Sequence, residues 1–365
     1  MPLSRRGALT LIGGGAILAA GGAAGFALTR TPTAALAPWS AAGEYREPRM
    51  RALSYAILAP NPHNRQPWAV DLTIPDRVVI WRDETKDLPE TDPYDRQLTI
   101  GMGCFLEQLA VAASETGHRV AFDLFPDGAD GPVAVAQFSD GAARDPLAAH
   151  MLDRRSCKEP FADRAVEPTP ALSALADIHT DPDRVARLKR LTWDAWMVEA
   201  TTPRTLNESV DLFRLGKAEI EANPDGIDLG GPFLETLMLV GALTREGQRQ
   251  PGSSEFQQGV AMYREMLQAT PAYAVLRSRG NGRREQIEAG RRWLRLNLTT
   301  TALGLSLHPV SQALQEYPEM AEHYRAAHAL LAEPGETVQM LGRLGYGPQS
   351  ARSPRWPLEA KIVNG

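Results

Sequence analysis

Cysteine is nearly missing from this 365-residue chain: Cys104 and Cys157 are the only two, and no C-x-x-C pair exists. That count excludes a thiolate metal cluster and a disulfide framework; it leaves at most one bridge in an oxidising compartment, with two unpaired thiols the simpler expectation. An excess of positive charge is lacking too, since 39 Lys+Arg against 44 Asp+Glu give a formal net charge of −5. This argues against a polyanionic partner, so the arginines need a local explanation. There is no G-x-S-x-G elbow, no H-E-x-x-H and no phosphate-loop motif, which removes the usual signatures of serine, zinc and nucleoside-triphosphate chemistry. The histidines show no ligand spacing, and Gly13-Gly14-Gly15 lies in an apolar N-terminal run rather than between a strand and a helix.

What is present is enough apolar material for a sizeable core, 43% of residues, and a length that suits two units or one large α+β body. Residues 1–37 read as a targeting segment. Ser4, Arg5 and Arg6 precede an uncharged Gly/Ala-rich run from Ala8 to Leu28, with the next charge at Arg30. The pattern resembles a twin-arginine export signal, with Ala8 where that motif prefers phenylalanine. Its alternative is an uncleaved membrane anchor, because about 20 apolar residues span a bilayer. Ala35-Leu36-Ala37 offers a cleavage site, and Pro38 directly after it is unfavourable. Residues 38–49 read as a linker.

The rest alternates helical and strand-like stretches. Residues 52–58 suggest a short helix, 69–74 and 77–81 a hairpin split by Pro75 and Asp76, and 98–117 a long helix apolar on most faces and therefore buried. Strands follow at 119–125 and 132–138. Short helices are expected at 146–153 and 168–178, and a second long apolar helix at 292–305, while 338–362 could add an edge strand. The second long helix echoes the first, each being followed by a strand. This order implies two halves, 50–145 and 146–365, with an excess at about 207–286 that contains helices at 233–244 and 256–268 and has the length of a separate layer or a lid.

Three stretches carry chemistry. The first is Pro60 with Asn61-Pro62-His63-Asn64-Arg65-Gln66-Pro67-Trp68, a loop directly after a helix. Asn64 and Gln66 each combine a donor and an acceptor, suited to a flat ligand with alternating polar edges, and Pro62 and Pro67 stiffen the backbone. A Pro-rich surface loop with Trp68 in the core is the plainer alternative. His63 is a candidate donor to a bound substrate, against the simpler role of a polar loop residue. The second is Arg154-Arg155-Ser156 with Lys158 behind, where forked donors and a hydroxyl match a phosphate; the alternative is a solvated basic turn. The third is Ser353-Pro354-Arg355-Trp356-Pro357-Leu358-Glu359, with Arg352 just before it.

Together these stretches resemble the nitroreductase-like FMN-binding family: an S-x-x-N-x-Q-P-W loop, in which Asn61 replaces the serine, an R-R-S phosphate element and an S-x-R-x-P-L-E ending. The resemblance implies an α+β fold with antiparallel sheets around long central helices. It also implies FMN held by Pro60, Asn61, Pro62, Asn64, Gln66, Arg154, Arg155, Ser156, Lys158, Arg352 and Arg355, with hydride transfer from a reduced nicotinamide or other donor to a nitro compound or quinone. The loop occurs only in the first half and the phosphate element only in the second. One FMN site per chain is therefore expected, as in the fused, Acg-type branch whose single chain imitates the family's dimer and needs no second copy. Under this reading the excess either gates an oxidoreductase or closes a flavin-sequestering protein. The twin-arginine machinery, which moves folded proteins, agrees with cofactor loading before export.

Overall fold

The computed structural model describes residues Thr29–Asn364. The Arg5-Arg6 pair and the Ala8–Leu28 run lie outside the described residues. Within them, no helix is long and apolar enough to cross a membrane, and no cluster of His, Cys, Asp or Glu could hold a metal ion.

Folded structure is already present where the sequence suggests a targeting segment and a linker. Helix α1 (Thr33–Ala41) occupies the end of the expected targeting segment and the start of the expected linker, and its Trp39 is buried. Cleavage after Ala37 would cut this helix. Helix α2 (Pro48–Ala56) follows, with Pro48 in its first turn and the Glu47 carboxylate accepting from the Met50 amide at 2.8 Å. Strands β1 (Trp68–Asp71) and β2 (Arg77–Arg82) form the expected antiparallel hairpin. Helix α3 (Arg96–Ser114) is the expected buried helix; the Asp92 carboxylate caps it by accepting from the amides of Gln97 and Leu98 at 3.0 and 2.9 Å. Strands β3 (His118–Leu124) and β4 (Ala134–Asp140) pair antiparallel.

The second half begins with a 3-10 turn at Pro146–His150, where a helix to residue 153 was expected. The helix expected at 168–178 is a single turn, Pro170–Ser173, followed by strand β5 (Asp177–His179). Pairing of β5 with a central strand overrides the local helical pattern there. A layer absent from the first half comes next: α4 (Pro182–Thr201), α5 (Pro203–Asp211), β6 (Phe213–Leu215), α6 (Gly216–Ala222), β7 (Ile227–Leu229), α7 (Pro232–Leu239) and α8 (Ser254–Gln268). The layer starts before the expected residue 207 and ends before 286, because β8 (Ala272–Arg279) already belongs to a main sheet. Then come α9 (Arg283–Ala302), β9 (Ser306–Pro309), α10 (Ala321–Leu331), β10 (Glu336–Gly345) and β11 (Ile362–Asn364).

Two sheets flank the long helices. One runs β11-β1-β2-β4-β3 and the other β5-β8-β10-β9. Leaving out β11, each reads strand, strand, long helix, then two strands in reversed spatial order, with every pairing antiparallel. The added layer occupies the β5–β8 connection, the counterpart of the tight β1–β2 turn. Within 338–362, β10 is an internal strand of the second sheet, and the edge strand is β11, which crosses back to lie parallel to β1.

The helices α3 and α9 meet where neither has a side chain. A Cβ on Gly103 would lie 2.1 Å from the Ile287 carbonyl oxygen, and one on Gly290 would lie 1.9 Å from that of Ile100. The two contacts are reciprocal, Ile100/Gly103 against Ile287/Gly290, as across a two-fold axis. Around this crossing Leu53, Trp68, Phe105, Leu106, Ile287, Trp293 and Leu294 pack into one buried cluster that spans both halves.

Candidate functional site

The loop after α2 is held in a conformation that its residues adopt at a cost. His63, Asn64 and Gln66 have φ of 46°, 53° and 50°, left-handed values uncommon for residues with a Cβ. Side-chain knots impose this shape. Asn61 Oδ1 accepts from the Gln66 amide at 2.7 Å and Asn61 Nδ2 donates to the Ala59 carbonyl at 3.1 Å. Asn64 Nδ2 donates to the Pro354 carbonyl at 3.0 Å, and its Oδ1 accepts from Arg355 Nη1 at 2.6 Å. Gln66, fully buried, donates to the Pro224 carbonyl at 2.7 Å and accepts from the Trp356 amide at 2.9 Å. The expectation that Asn64 and Gln66 offer free polar edges to a ligand is thus revised: both ends of each amide are engaged by protein.

The arginines divide in the same way. Arg355, buried, donates to the carbonyls of Ile57, Leu58, Ala59 and Pro354, to Ser353 Oγ and to Asn64 Oδ1. It clamps the loop to the C-terminal segment. Arg154 Nη1 reaches Asn297 Oδ1 at 3.2 Å and Nη2 the Leu58 carbonyl at 2.9 Å, whereas Arg155 donates through Nη1 only to local carbonyls. The Nε groups of Arg154 and Arg155 are buried and have no partner. Arg155, Arg352 and Arg355 surround the ring of Trp39 at 4.5, 5.6 and 5.6 Å.

These side chains border one cavity of about 480 Å³, within the size range of cofactor sites. Pro60, Asn61, Pro62, His63, Asn64, Arg154, Arg155, Ser156, Lys158, Arg352 and Arg355 all line it; Gln66 does not and stands behind the loop. Three stretches separated by almost 300 residues therefore converge. Among the described residues, no carboxylate pairs within 4.0 Å with Arg154, Arg155, Lys158, Arg352 or Arg355, although the chain as a whole is acidic. Burial lowers the pKa of Arg154 to about 10 and that of Arg355 to about 9, the neighbouring guanidinium adding to each. Both stay charged at neutral pH. His63, pushed down to about 4 by burial and then by Lys158 and Arg65, is neutral, and its Nδ1 is buried without a partner.

From this cationic end the cavity follows α3. Cys104 lies within the electrostatic reach of Arg154, and Gln97 lies seven residues, roughly 10 Å, further along the helix. At the Gln97 end Glu199 accepts from Gln315 Nε2 at 2.6 Å, while Gln315 Oε1 is buried and unpartnered. Burial raises the Glu199 carboxyl to about 7, the Gln315 hydrogen bond opposing and Glu208 adding. Trp39, Glu199, Asp228, Trp293 and His308 also line the cavity and escaped the sequence reading, since nothing in their spacing tied them to it. Cys104 lines it as well, a free buried thiol whose pKa burial pushes up to about 12; it is no nucleophile at neutral pH. Cys157 is also free.

The added layer covers part of the cavity through Glu199 and the 226–228 strap. The strap is clasped to the loop. The Gly226 amide donates to the Asn64 carbonyl at 3.2 Å, Gln66 holds Pro224, and buried Asp225 pairs with Lys86 and Arg214 at 2.7 Å and with Arg65 at 3.7 Å.

No protein-family model matches the chain. It is 25% identical over 309 residues to two Mycobacterium tuberculosis proteins provisionally named NAD(P)H nitroreductases, the alignments covering 82% of this chain and 85% of theirs. Among solved structures, the FMN-dependent nitroreductase NfnB from Mycobacterium smegmatis in complex with NADPH overlaps 59% of this chain and 96% of its own, with 18% identity and a TM-score of 0.36. A nitroreductase-like family protein from Bacillus cereus overlaps 60% and 96%, with 13% identity and a TM-score of 0.31. Overlaps this loose leave the site to be judged on its own residues.

Proposed function

We propose that this chain is an FMN-dependent oxidoreductase of the nitroreductase type, with one FMN per chain. The observation that carries the reading is the convergence of three motif stretches on one cavity whose cationic end, among the described residues, has no carboxylate within ion-pair distance, Asp228 acting on Lys158 and Arg355 only from further away, and two buried, unpartnered guanidinium nitrogens. That donor set fits a phosphate of nearly two negative charges. Arg155, Ser156 and Lys158, with Arg154 Nε and Arg352, would hold it. Bound there, FMN supplies the hydride- and electron-carrying chemistry that these side chains lack.

The chain's own residues do the rest. Arg355 and Asn64 keep the loop in shape, and the α3 turn at Ile100-Gly101 presses on it; a Cβ on Gly101 would lie 3.0 Å from Pro62 Cδ. His63 stays neutral and keeps Nδ1 open for a polar partner in the cavity. Burial brings the Glu199 carboxyl to about 7, placing it to hold or release a proton at that end. The electron donor is a reduced nicotinamide, in keeping with the names of the M. tuberculosis relatives, and the acceptor a nitro compound or quinone.

The matching strand order of the two sheets and the reciprocal Gly103/Gly290 contact support a fused pseudo-dimer that works as a monomer. The sequence pattern supports twin-arginine export, and an uncleaved anchor is favoured over release: cleavage after Ala37 would remove Ala35, whose carbonyl accepts from the Arg355 amide at 2.9 Å. The Asp225 clasp favours a second reading, a flavin-sequestering protein whose strap keeps donors out. An absorption spectrum of the full-length protein, repeated anaerobically with reduced nicotinamide, separates the readings. Flavin that bleaches supports the oxidoreductase, flavin that stays oxidised supports sequestration, and failure to bind supplied FMN overturns both.

A further inference from the structure

Helix α7 is apolar on its outer side as well as its inner one: Leu234, Leu237 and Met238 are half-buried against the layer, yet Phe233, Leu239 and Val240 face outward. At about 100° per residue, Phe233, Thr236, Leu239 and Val240 fall on the outward half of the helix and its C-terminal end. Phe233, Leu239 and Val240 are 72%, 75% and 71% exposed. At the border of that side, one turn before Leu239, Glu235 is buried, accepts from the Lys217 amide at 3.0 Å and pairs with Arg30 at 3.1 Å. Three large apolar side chains exposed on one short helix, among the most exposed in the described residues, mark a surface with a partner.

The ion pair to Arg30 indicates which partner. Arg30 stands two residues after Leu28, the end of the uncharged Ala8–Leu28 run, a reach of about 7 Å. A run of about 20 apolar residues is long enough to span a bilayer. If that run is in a membrane, the chain leaves the lipid about 7 Å of backbone before the residue whose side chain pairs with α7, so the exposed side and the membrane surface are brought near one another. Phe and Leu on a short helix at that boundary are the residues that partition into it.

We propose that α7 rests in the membrane interface, with Phe233, Leu239 and Val240 entering the lipid headgroup and acyl boundary beside the N-terminal run. The inference rests on the anchored reading of that run. It bears on the site as well: α7 follows β7 and the strap residues Ile227 and Asp228 that line the cavity, so the bilayer would hold the cover of the site.

The test uses the full-length chain in neutral phosphatidylcholine vesicles whose acyl chains carry bromine. An environment-sensitive fluorophore is attached at Phe233→Cys, with Asp130→Cys in the exposed β3–β4 turn as the control; Cys104 and Cys157 are buried. The expected result is flotation of both proteins with the vesicles, a blue shift and loss of emission to the brominated lipid at position 233, and neither change at position 130. A chain that does not float removes the anchored reading and the proposal with it. A chain that floats with position 233 open to aqueous iodide overturns the proposal alone. So does emission that is blue-shifted but unquenched by the lipid, because the face is then covered by protein, whether the N-terminal segment or a second copy.

Discussion

Replacing Arg155 and Arg355 one at a time by alanine should separate two roles that the sequence assigns to both. Arg355 spends its donors on protein. Without it the Leu58 carbonyl keeps Arg154, the Ala59 carbonyl keeps Asn61 and the Pro354 carbonyl keeps Asn64. The Ile57 carbonyl and Asn64 Oδ1 lose the guanidinium that satisfies them. A buried acceptor left open costs about 1–3 kcal/mol, and the part-buried Asn64 Oδ1 at the cavity wall adds a smaller amount. Removing a desolvated cation beside Arg154 returns part of that, which leaves a net loss of about 1–3 kcal/mol for Arg355→Ala. Arg155 donates only to carbonyls of its own turn and keeps a buried Nε unused. Arg155→Ala should therefore change stability by less than about 1 kcal/mol and weaken FMN by about 1.5–3 kcal/mol, roughly ten- to 150-fold in Kd. Urea unfolding of the flavin-free proteins measures the first quantity, and flavin fluorescence titration the second. Equal stability of the two variants with equal loss of affinity would refute the division and return Arg355 to the phosphate.

Three other outcomes are expected. The folded pKa of Glu199, about 7, lies above its unfolded value near 4.5; its contribution is thus fully present below about pH 4.5 and lost as pH rises through 7, by about 3 kcal/mol. Unfolding free energies measured between those pH values should show a drop that Glu199→Gln flattens. Gly103→Ala or Gly290→Ala should destabilise by about 2–4 kcal/mol, since a methyl at either place meets a backbone carbonyl, whereas Gly259→Ala in α8, with nothing within 4 Å, should stabilise by about 0.5–1 kcal/mol in the same denaturation assay. Asp225→Asn leaves Lys86, Arg65 and Arg214 facing one another without their shared carboxylate, so it should cost about 3 kcal/mol and speed flavin release in stopped-flow exchange.

Much of the fold was legible locally. The long helix over 98–117 follows from an apolar pattern that only burial satisfies, the β1–β2 hairpin from alternation broken at Pro75-Asp76, and β3 and β4 from the strand-like runs at 119–125 and 132–138. The single turn at Pro170–Ser173 and strand β5 were not legible, because the strand exists only through its pairing with Ile178↔Ala274 as its centre. Trp39 was hidden for the same kind of reason: a polar, irregular neighbourhood read as a linker, yet the ring is buried under three arginines contributed by distant segments.

The local sequence shows which residue types suit a phosphate and a flat, polar-edged ligand. Forked cations beside a hydroxyl suit a phosphate wherever they are placed, and a loop with two prolines is stiff before it is packed. Only the tertiary structure decided which of them are free to act. Asn64, Gln66 and Arg355 carry the right groups, but their neighbours, contributed by residues 57–59, 224 and 354–356, satisfy those groups first. Arg154 and Arg155 keep nitrogens in reserve because no acceptor was folded against them. A hydrogen-bonding group has a limited number of partners, and long-range packing, invisible in local sequence, determines how many remain for a ligand.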